Sequence, residues 1–268
     1  MTIDVSRRFG GPRTLLLPWR AVTETTHRPD RGKTWPTLFW VVIGFLALMF
    51  AYEALRHVVA PAVDATAPYS NADQVISMER SLGLFVEPDV QRAVHEFPGG
   101  RWATTWFYTL AYVTGYTVFL AWVFFVRRSW FRFMFTWYWV TNFVAVLVYW
   151  LYPLAPPRFI SGLGMEDTTS AALEAGGALS WFQPFRNLYA AMPSMHVGQT
   201  VLYAVAIGMM VRSRWRHLAW LWPAAMLTTV MATANHYWLD GVGGAIVVAV
   251  AFGLTRLVVP KPSLERMG

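Results

Sequence analysis

A chain of 268 residues that is 56% hydrophobic, 16% aromatic and only 14% charged departs far from the roughly 25% charged residues of an average soluble domain, and this places it in a bilayer. It contains no cysteine, which excludes a disulfide framework and any thiolate-ligated metal. The net charge of +7 raises nucleic acid as a partner, but the basic residues lie in short segments beside apolar runs. That is how topology signals lie, and no nucleic-acid partner is expected.

In chain order, residues 1–36 are rich in Arg, Thr and Pro without an apolar period and are predicted to form a flexible, basic cytoplasmic tail. Apolar runs near the ~20 residues that a bilayer needs follow at 37–59, 102–126, 130–152, 192–211, 217–234 and 239–259. They predict an all-α, polytopic membrane protein, a six-helix transmembrane bundle over 37–259, with a short cytoplasmic tail at 260–268. Residues 60–101 and 153–191 form the two long loops. Within the first, 71–97 alternates apolar residues (Val75, Ile76, Met78, Leu82, Leu84, Phe85, Val90, Val94, Phe97) with charged ones, broken near Gly83 and Pro88. Two short amphipathic helices lying on the membrane surface fit this pattern. Gly241, Gly243 and Gly244 are expected to let helices approach closely.

The segments 1–36, 127–132, 212–216 and 256–268 hold 16 of the 22 basic residues against four acidic ones. By the positive-inside rule these are cytoplasmic. Both termini are then inside, the two long loops are outside, and a plasma membrane, bacterial in type, is the expected location.

Two short motifs carry the chemistry. Pro193-Ser194-Met195-His196 and His236-Tyr-Trp-Leu-Asp240 each place a histidine at the edge of an apolar run, where ionisable groups are costly and mark function by default. A carboxylate four residues after a histidine shares its helical face, so Asp240 is placed to orient His236 and hold one tautomer. Both histidines and Arg158 fall on the outer side under the charge rule, an independent check on their convergence.

With these residues in view, Tyr152-Pro-Leu-Ala-Pro-Pro-Arg158, Pro193-Ser194-Met195-His196 and His236-x-x-x-Asp240 resemble the three signature blocks of the type 2 phosphatidic acid phosphatase (PAP2) superfamily, over roughly residues 70 to 255. The branch they look most like is the inositol phosphorylceramide synthase-like one. The resemblance implies a PAP2-type six-helix bundle and phosphoryl transfer on a lipid with no metal and no cofactor. It implies that His236 is the nucleophile that forms a phosphohistidine, with Asp240 its orienter. His196 protonates the leaving oxygen and then deprotonates the incoming water or alcohol. Arg158 holds phosphoryl oxygens and Ser194 adds a hydroxyl donor.

The chemistry is sound without the family. A neutral imidazole is a competent nucleophile, histidine with its ordinary pKa of about 6.5 can give and take a proton, and guanidinium matches phosphate bidentately. Three residues keep two readings each. Ser194 either caps the fourth span or binds phosphate, or both; Arg186 is a rim charge or a phosphate ligand; Asp167 orders the outer loop or touches substrate.

The chain also departs from the superfamily pattern. Leu151 stands where a lysine usually precedes the first block's arginine, Val230 where an arginine usually precedes the third block's histidine, and Met195 where the second block has glycine. With two cations missing, a phosphodiester monoanion suits the site better than a phosphomonoester dianion. Transfer or cleavage of a phospho-headgroup such as phosphoinositol is therefore the expected activity, with monoester hydrolysis of phosphatidate or a polyprenyl phosphate as the alternative. An intramembrane serine protease using Ser194 and His236 lacks the Gly-x-Ser-Gly setting of the rhomboid type and leaves Arg158 idle. A transporter lacks paired broken helices or a repeat.

Overall fold

The computed structural model describes residues 31–59, 66–170 and 188–260. The tails at 1–30 and 261–268, and Arg186 with the rest of 171–187, lie outside the described residues. Contacts divide the chain into two compact units, 1–44 and 45–268. The described part of the first is 31–44, the start of helix α1 (Arg31–Val59). Its exposed Phe39 and Trp40 rings meet edge to face.

In the second unit, the end of α1 is followed by α2 (Ala67–Ser81), α3 (Glu87–Glu96), α4 (Gly100–Val126), α5 (Arg128–Leu151), α6 (Met195–Met210), α7 (Leu221–Ala232) and α8 (Trp238–Val258). A single turn of 3-10 helix occupies Pro157–Phe159, and a longer 3-10 segment, Arg214–Trp220, precedes α7. No strand is present among the described residues. Pairing of extended backbone is confined there to one parallel bridge, Leu154 with Ala190.

The bundle packs α6 between α8 and α7, with α5 against α8 and α4 against α5 and α7. Its core is aromatic: Trp130, Phe133, Trp137, Tyr138, Tyr149 and Tyr203 are buried in one cluster. Helix α8 shows why such a helix belongs in lipid. Val242, Ile246, Val250, Leu254 and Leu257 form an exposed apolar stripe, while Gly244, Val247, Val248, Ala251 and Thr255 face inward. A helix that is apolar on both faces has no side to offer water. Small residues let the backbones touch: a Cβ on Gly244 would sit 2.3 Å from the Ser194 carbonyl oxygen, and one on Gly198 would sit 3.0 Å from the Gly244 carbonyl. A Cβ on Gly241 would meet Leu227 at 2.8 Å, whereas one on Gly243 would make ordinary contacts.

Three helices are long and apolar enough to cross a membrane, at Thr37–Leu55, Arg128–Leu151 and Trp238–Val258. A fourth is formed if the two limbs of α4, bent by 45° between Ala111 and Thr114, count as one span. The other two expected spans are shorter as helices than as apolar runs. At about 1.5 Å per residue, the 16 residues of α6 and the 12 of α7 rise roughly 24 and 18 Å against a hydrocarbon core of about 30 Å. The missing residues are spent elsewhere: 192–194 belong to the functional loop, 217–220 to the 3-10 segment and 233–234 to the turn before His236.

The surface segment folds as the expected helix pair, α2 and α3, broken at Leu82–Val86 where Gly83 takes a left-handed φ of 67°. Pro68 and Pro88 stand in the first turns of these helices, where a missing N–H costs nothing. The buried face differs from the apolar one read in the sequence. Val75 and Ile76 are buried, but Met78, Leu82, Leu84 and Phe97 are exposed, and the buried positions include Glu79, Glu87 and Gln91.

Candidate active site

The three sequence blocks are stitched together by their own backbone. Block one meets block two where Leu154 N–H donates to Tyr189 O (2.8 Å) and Ala191 N–H to Leu154 O (3.4 Å). It meets block three where Arg158 N–H donates to Ala234 O (3.1 Å), and block two meets block three where Ser194 N–H donates to Asp240 O (2.8 Å). The Tyr149 hydroxyl, from α5, donates to Pro193 O at 3.1 Å. Each bond joins segments far apart in sequence, so residues that share no helix acquire one frame.

His236 lies in the turn between α7 and α8 and is 5% exposed. Its Nδ1 is 2.7 Å from Ala191 O and 3.4 Å from Asp240 Oδ2. A carbonyl only accepts, so Nδ1 carries a proton, and in the neutral tautomer this leaves the lone pair on Nε2. Asp240 is fully buried; its Oδ2 also accepts the Tyr237 N–H at 3.0 Å. The turn holding His236 is strained. Ala234, buried and non-glycine, has φ 54°, a left-handed conformation that persists only where surrounding bonds impose it. Here the N–H groups of Asn235 and His236 both donate to Val230 O, and Arg158 N–H holds Ala234 O.

His196 stands at the second position of α6, half-buried, with its ring centroid 5.8 Å from that of His236. Tyr108 of α4 stacks on it at 4.1 Å and 18°. Ser194 is fully buried and caps α6, its Oγ accepting from Val197 N–H at 3.5 Å.

Arg158 sits in the 3-10 turn with a nearly buried side chain. Its Nη1 donates to Asn235 Oδ1, its Nε lies 3.3 Å from Asp167 Oδ2, and its guanidinium lies over the Phe159 ring at 4.7 Å. Asn235 adjoins His236, so the guanidinium is tied to the histidine turn. Asn235 is in turn held by Thr169 and Thr233. Asp167 Oδ1 accepts from the N–H groups of Thr169 and Ser170. Burial alone raises the Asp167 carboxyl, but the Ser170 hydrogen bonds, the Arg158 guanidinium and Thr169 outweigh it and hold the group below its ordinary value. Asp167 therefore orders the loop and neutralises Arg158 together.

The structure thus assembles His196, His236, Asp240, Arg158 and Ser194 in one place. It adds partners that no motif announced: the Ala191 carbonyl, Asn235, Tyr108 and Asp167 as the counter-ion. Asn235 carried a signal in its position next to His236, and Asp167 in its place in the outer loop.

The described residues are mainly helical, with helices apolar and long enough to cross a membrane, and they bring two histidines and an arginine together. The match to known families agrees: the model of the PAP2 superfamily covers residues 73–254, and the chain belongs to that superfamily. Its members are generally phosphatases, which makes this chain an enzyme of phosphatase type acting at a membrane on a phosphorylated lipid. No curated protein and no solved structure matches it.

Proposed function

We propose that the protein is a metal-independent lipid phosphotransferase that works through a phosphohistidine on His236. The observation that carries this is the Nδ1 of His236, occupied by Ala191 O and Asp240, which leaves Nε2 as the nucleophile. Nε2 attacks phosphorus, the bond from phosphorus to the lipid oxygen breaks, and His196 gives that oxygen its proton. Neutral His196 then takes a proton from water or an alcohol, whose oxygen attacks phosphorus and returns His236. Arg158, tethered by Asn235 and Asp167, aligns the phosphoryl oxygens, and the Ser194 hydroxyl contributes from its cap. Arg186 is a further candidate cation.

Charge supports a diester substrate of the phosphoinositol-headgroup kind. Leu151 is exposed on α5 and Val230 is fully buried, so neither position supplies a cation, and Arg158 is already paired with Asp167. Such a cradle suits a monoanion better than the dianion of a phosphatidate or polyprenyl phosphate.

We further propose six crossings, by α1 and α4 to α8, with the 3-10 turns at Arg214–Trp220 extending α7. The site then faces outward across a plasma membrane and both termini face the cytoplasm. Cysteines placed at Gly164 should react with an impermeant thiol reagent on intact cells, and cysteines at Ser213 only after lysis; the reverse pattern removes the outward site.

The central test uses a fluorescent short-chain phosphatidylinositol and the matching phosphatidic acid in mixed micelles. Diacylglycerol release is expected mainly from the phosphatidylinositol. A headgroup-labelled lipid should leave an acid-labile label on the protein. His236→Ala should abolish both, a loss of at least about 10⁴-fold. Wild-type turnover in that variant would remove His236 as nucleophile.

A further inference from the structure

The α2–α3 helix pair carries two carboxyl groups that the reaction above does not use. Glu79 on α2 and Glu87 on α3 are both 0% exposed, although each lies on a surface helix where a carboxylate could reach water. Both point at the start of α8. Glu87 Oε1 accepts the Trp238 N–H at 2.9 Å, and Glu79 Oε1 accepts the Leu239 N–H at 3.2 Å. With Asp240 Oδ2 on the Tyr237 N–H, three successive N–H groups, otherwise without helical partners, are each taken by a carboxyl from a different helix. Carboxylates are favoured there by the helix dipole, but three full charges in one buried place are not.

The two carboxyls are held side by side on adjacent N–H groups of one turn, and among the described residues their Oε2 atoms have no hydrogen-bond partner. A single proton resolves this. Placed on Glu79, it donates to Glu87, satisfies both oxygens and removes one of the three charges. Among the described residues no lysine or arginine pairs with either carboxyl. The titratable groups facing them are Asp240 on α8 and Tyr237 just before it; behind these, His236 bonds Asp240, and Asp73 on α2 acts on Tyr237.

We propose that Glu79 and Glu87 form a carboxylic acid–carboxylate pair that clamps the first turn of α8 and thereby positions Asp240 and His236. The clamp sets both the start and the rotation of α8, and with them the distance from Asp240 to the Nδ1 of His236. It does so without placing a third full negative charge beside an anionic substrate. Burial, and then the charge of Glu87, push the Glu79 carboxyl up to about 9, in line with a retained proton.

This inference rests on His236 and Asp240 being the reacting centre, so His236→Ala runs as a control with the same fluorescent phosphatidylinositol. Glu79→Ala and Glu87→Ala should each lower kcat at least about 30-fold with KM little changed, because misplacement of a reacting group acts on the chemical step. Glu79→Gln should stay within about threefold of wild type, since its amide donates to Glu87 as the protonated acid does and its carbonyl still accepts from Leu239.

The proton has its own readout. In the folded state Glu79 keeps a proton that the unfolded chain releases above its ordinary pKa of 4.5. Wild-type thermal stability in detergent should therefore fall as pH rises toward about 9. In Glu79→Gln this fall should be shallower. If the alanine variants do not fold, the glutamine variant decides: near-wild-type kcat with the shallower slope supports the pair. A Glu79→Gln rate as low as that of Glu79→Ala, an unchanged slope, or full kcat in Glu79→Ala overturns it. An active His236→Ala variant sinks instead the mechanism on which the pair depends.

Discussion

The membrane bundle and helix α3 of the α2–α3 pair bury opposite kinds of surface. In the bundle, α5, α6 and α8 turn aromatic and aliphatic groups inward, and the polar side chains there mostly bond within the core, as Gln199 does to Asn142 and Tyr138. In α3 the buried residues are Glu87 and Gln91, and their partners are backbone groups of the functional turns. Gln91 Nε2 donates to Ala232 O at 3.0 Å and to Glu166 O at 2.9 Å, while its Oε1 accepts the Glu166 N–H. The bundle is held by non-directional packing, which tolerates small errors. Helix α3, and α2 through Glu79, are held to the functional turns by directional bonds, which do not, although α2 also packs Ala72, Val75 and Ile76 into an apolar cluster. Stability and alignment are therefore separable, and substitutions in the two regions should report on different quantities.

Asp240 lies where the two regions meet, and its replacement should have the largest effect of the three that follow. Asp240→Asn keeps the shape but removes the charge that steadies a cationic imidazole. In a triad whose carboxylate alone sets the tautomer, the equivalent change costs about 10⁴-fold. Here Ala191 O, at the shorter distance of 2.7 Å, holds the Nδ1 proton independently. We expect kcat to fall about 100-fold, or about 2.7 kcal/mol of barrier, with KM nearly constant. A 10⁴-fold fall in steady-state assays would mean that the carbonyl does not hold the tautomer alone.

Gln91→Leu attacks the helix pair without touching a reacting group. It leaves Ala232 O and both backbone groups of Glu166 without the side chain that now joins them. Their loss frees the strained turn at Ala234 and the loop that carries Asp167, the partner of Arg158. A fall in kcat of about tenfold is expected, near 1.4 kcal/mol, with a modest loss of stability. An unchanged rate alongside lowered thermal stability would reduce α3 to packing.

Much of this organisation was legible from residues alone. The histidine blocks, Arg158 and the break between α2 and α3 follow from short motifs, turn residues and period. The partners of those residues were less visible, for physical reasons. Ala191 acts through its carbonyl, which every residue possesses, and Tyr108 is one aromatic among many in α4. Glu79 and Glu87 were hidden by a sound rule, that a charge on a surface amphipathic helix faces water. The rule fails because the first turn of α8 offers N–H groups in place of water. A trace of this existed: Glu87 and Gln91 are four residues apart and share one face of α3 with no basic residue between them. Helices α6 and α7 are shorter than the apolar runs that contain them, because an apolar run does not show where the backbone leaves the helix to build a turn.

The smallest effect on rate should come from the bundle. Trp137 of α5 is almost fully buried, and its indole Nε1–H donates to Val248 O of α8 at 2.9 Å. Val248 lies eight residues, roughly 12 Å along the helix, from Asp240. Trp137→Phe removes that bond and part of a ring that packs on Phe133 and Phe252. Hydrogen bonds between membrane helices average only about 0.6 kcal/mol, and the lost ring atoms add a cavity term, so about 1–2 kcal/mol of stability should go. The first turn of α8 is still held by three carboxyl groups and by the Ser194–Asp240 backbone bond, so kcat should remain within about twofold. A melting curve and a turnover measurement on the same detergent preparation decide the matter. If Trp137→Phe slows turnover as much as Gln91→Leu does, alignment is spread through the whole bundle and the helix pair has no special part in it.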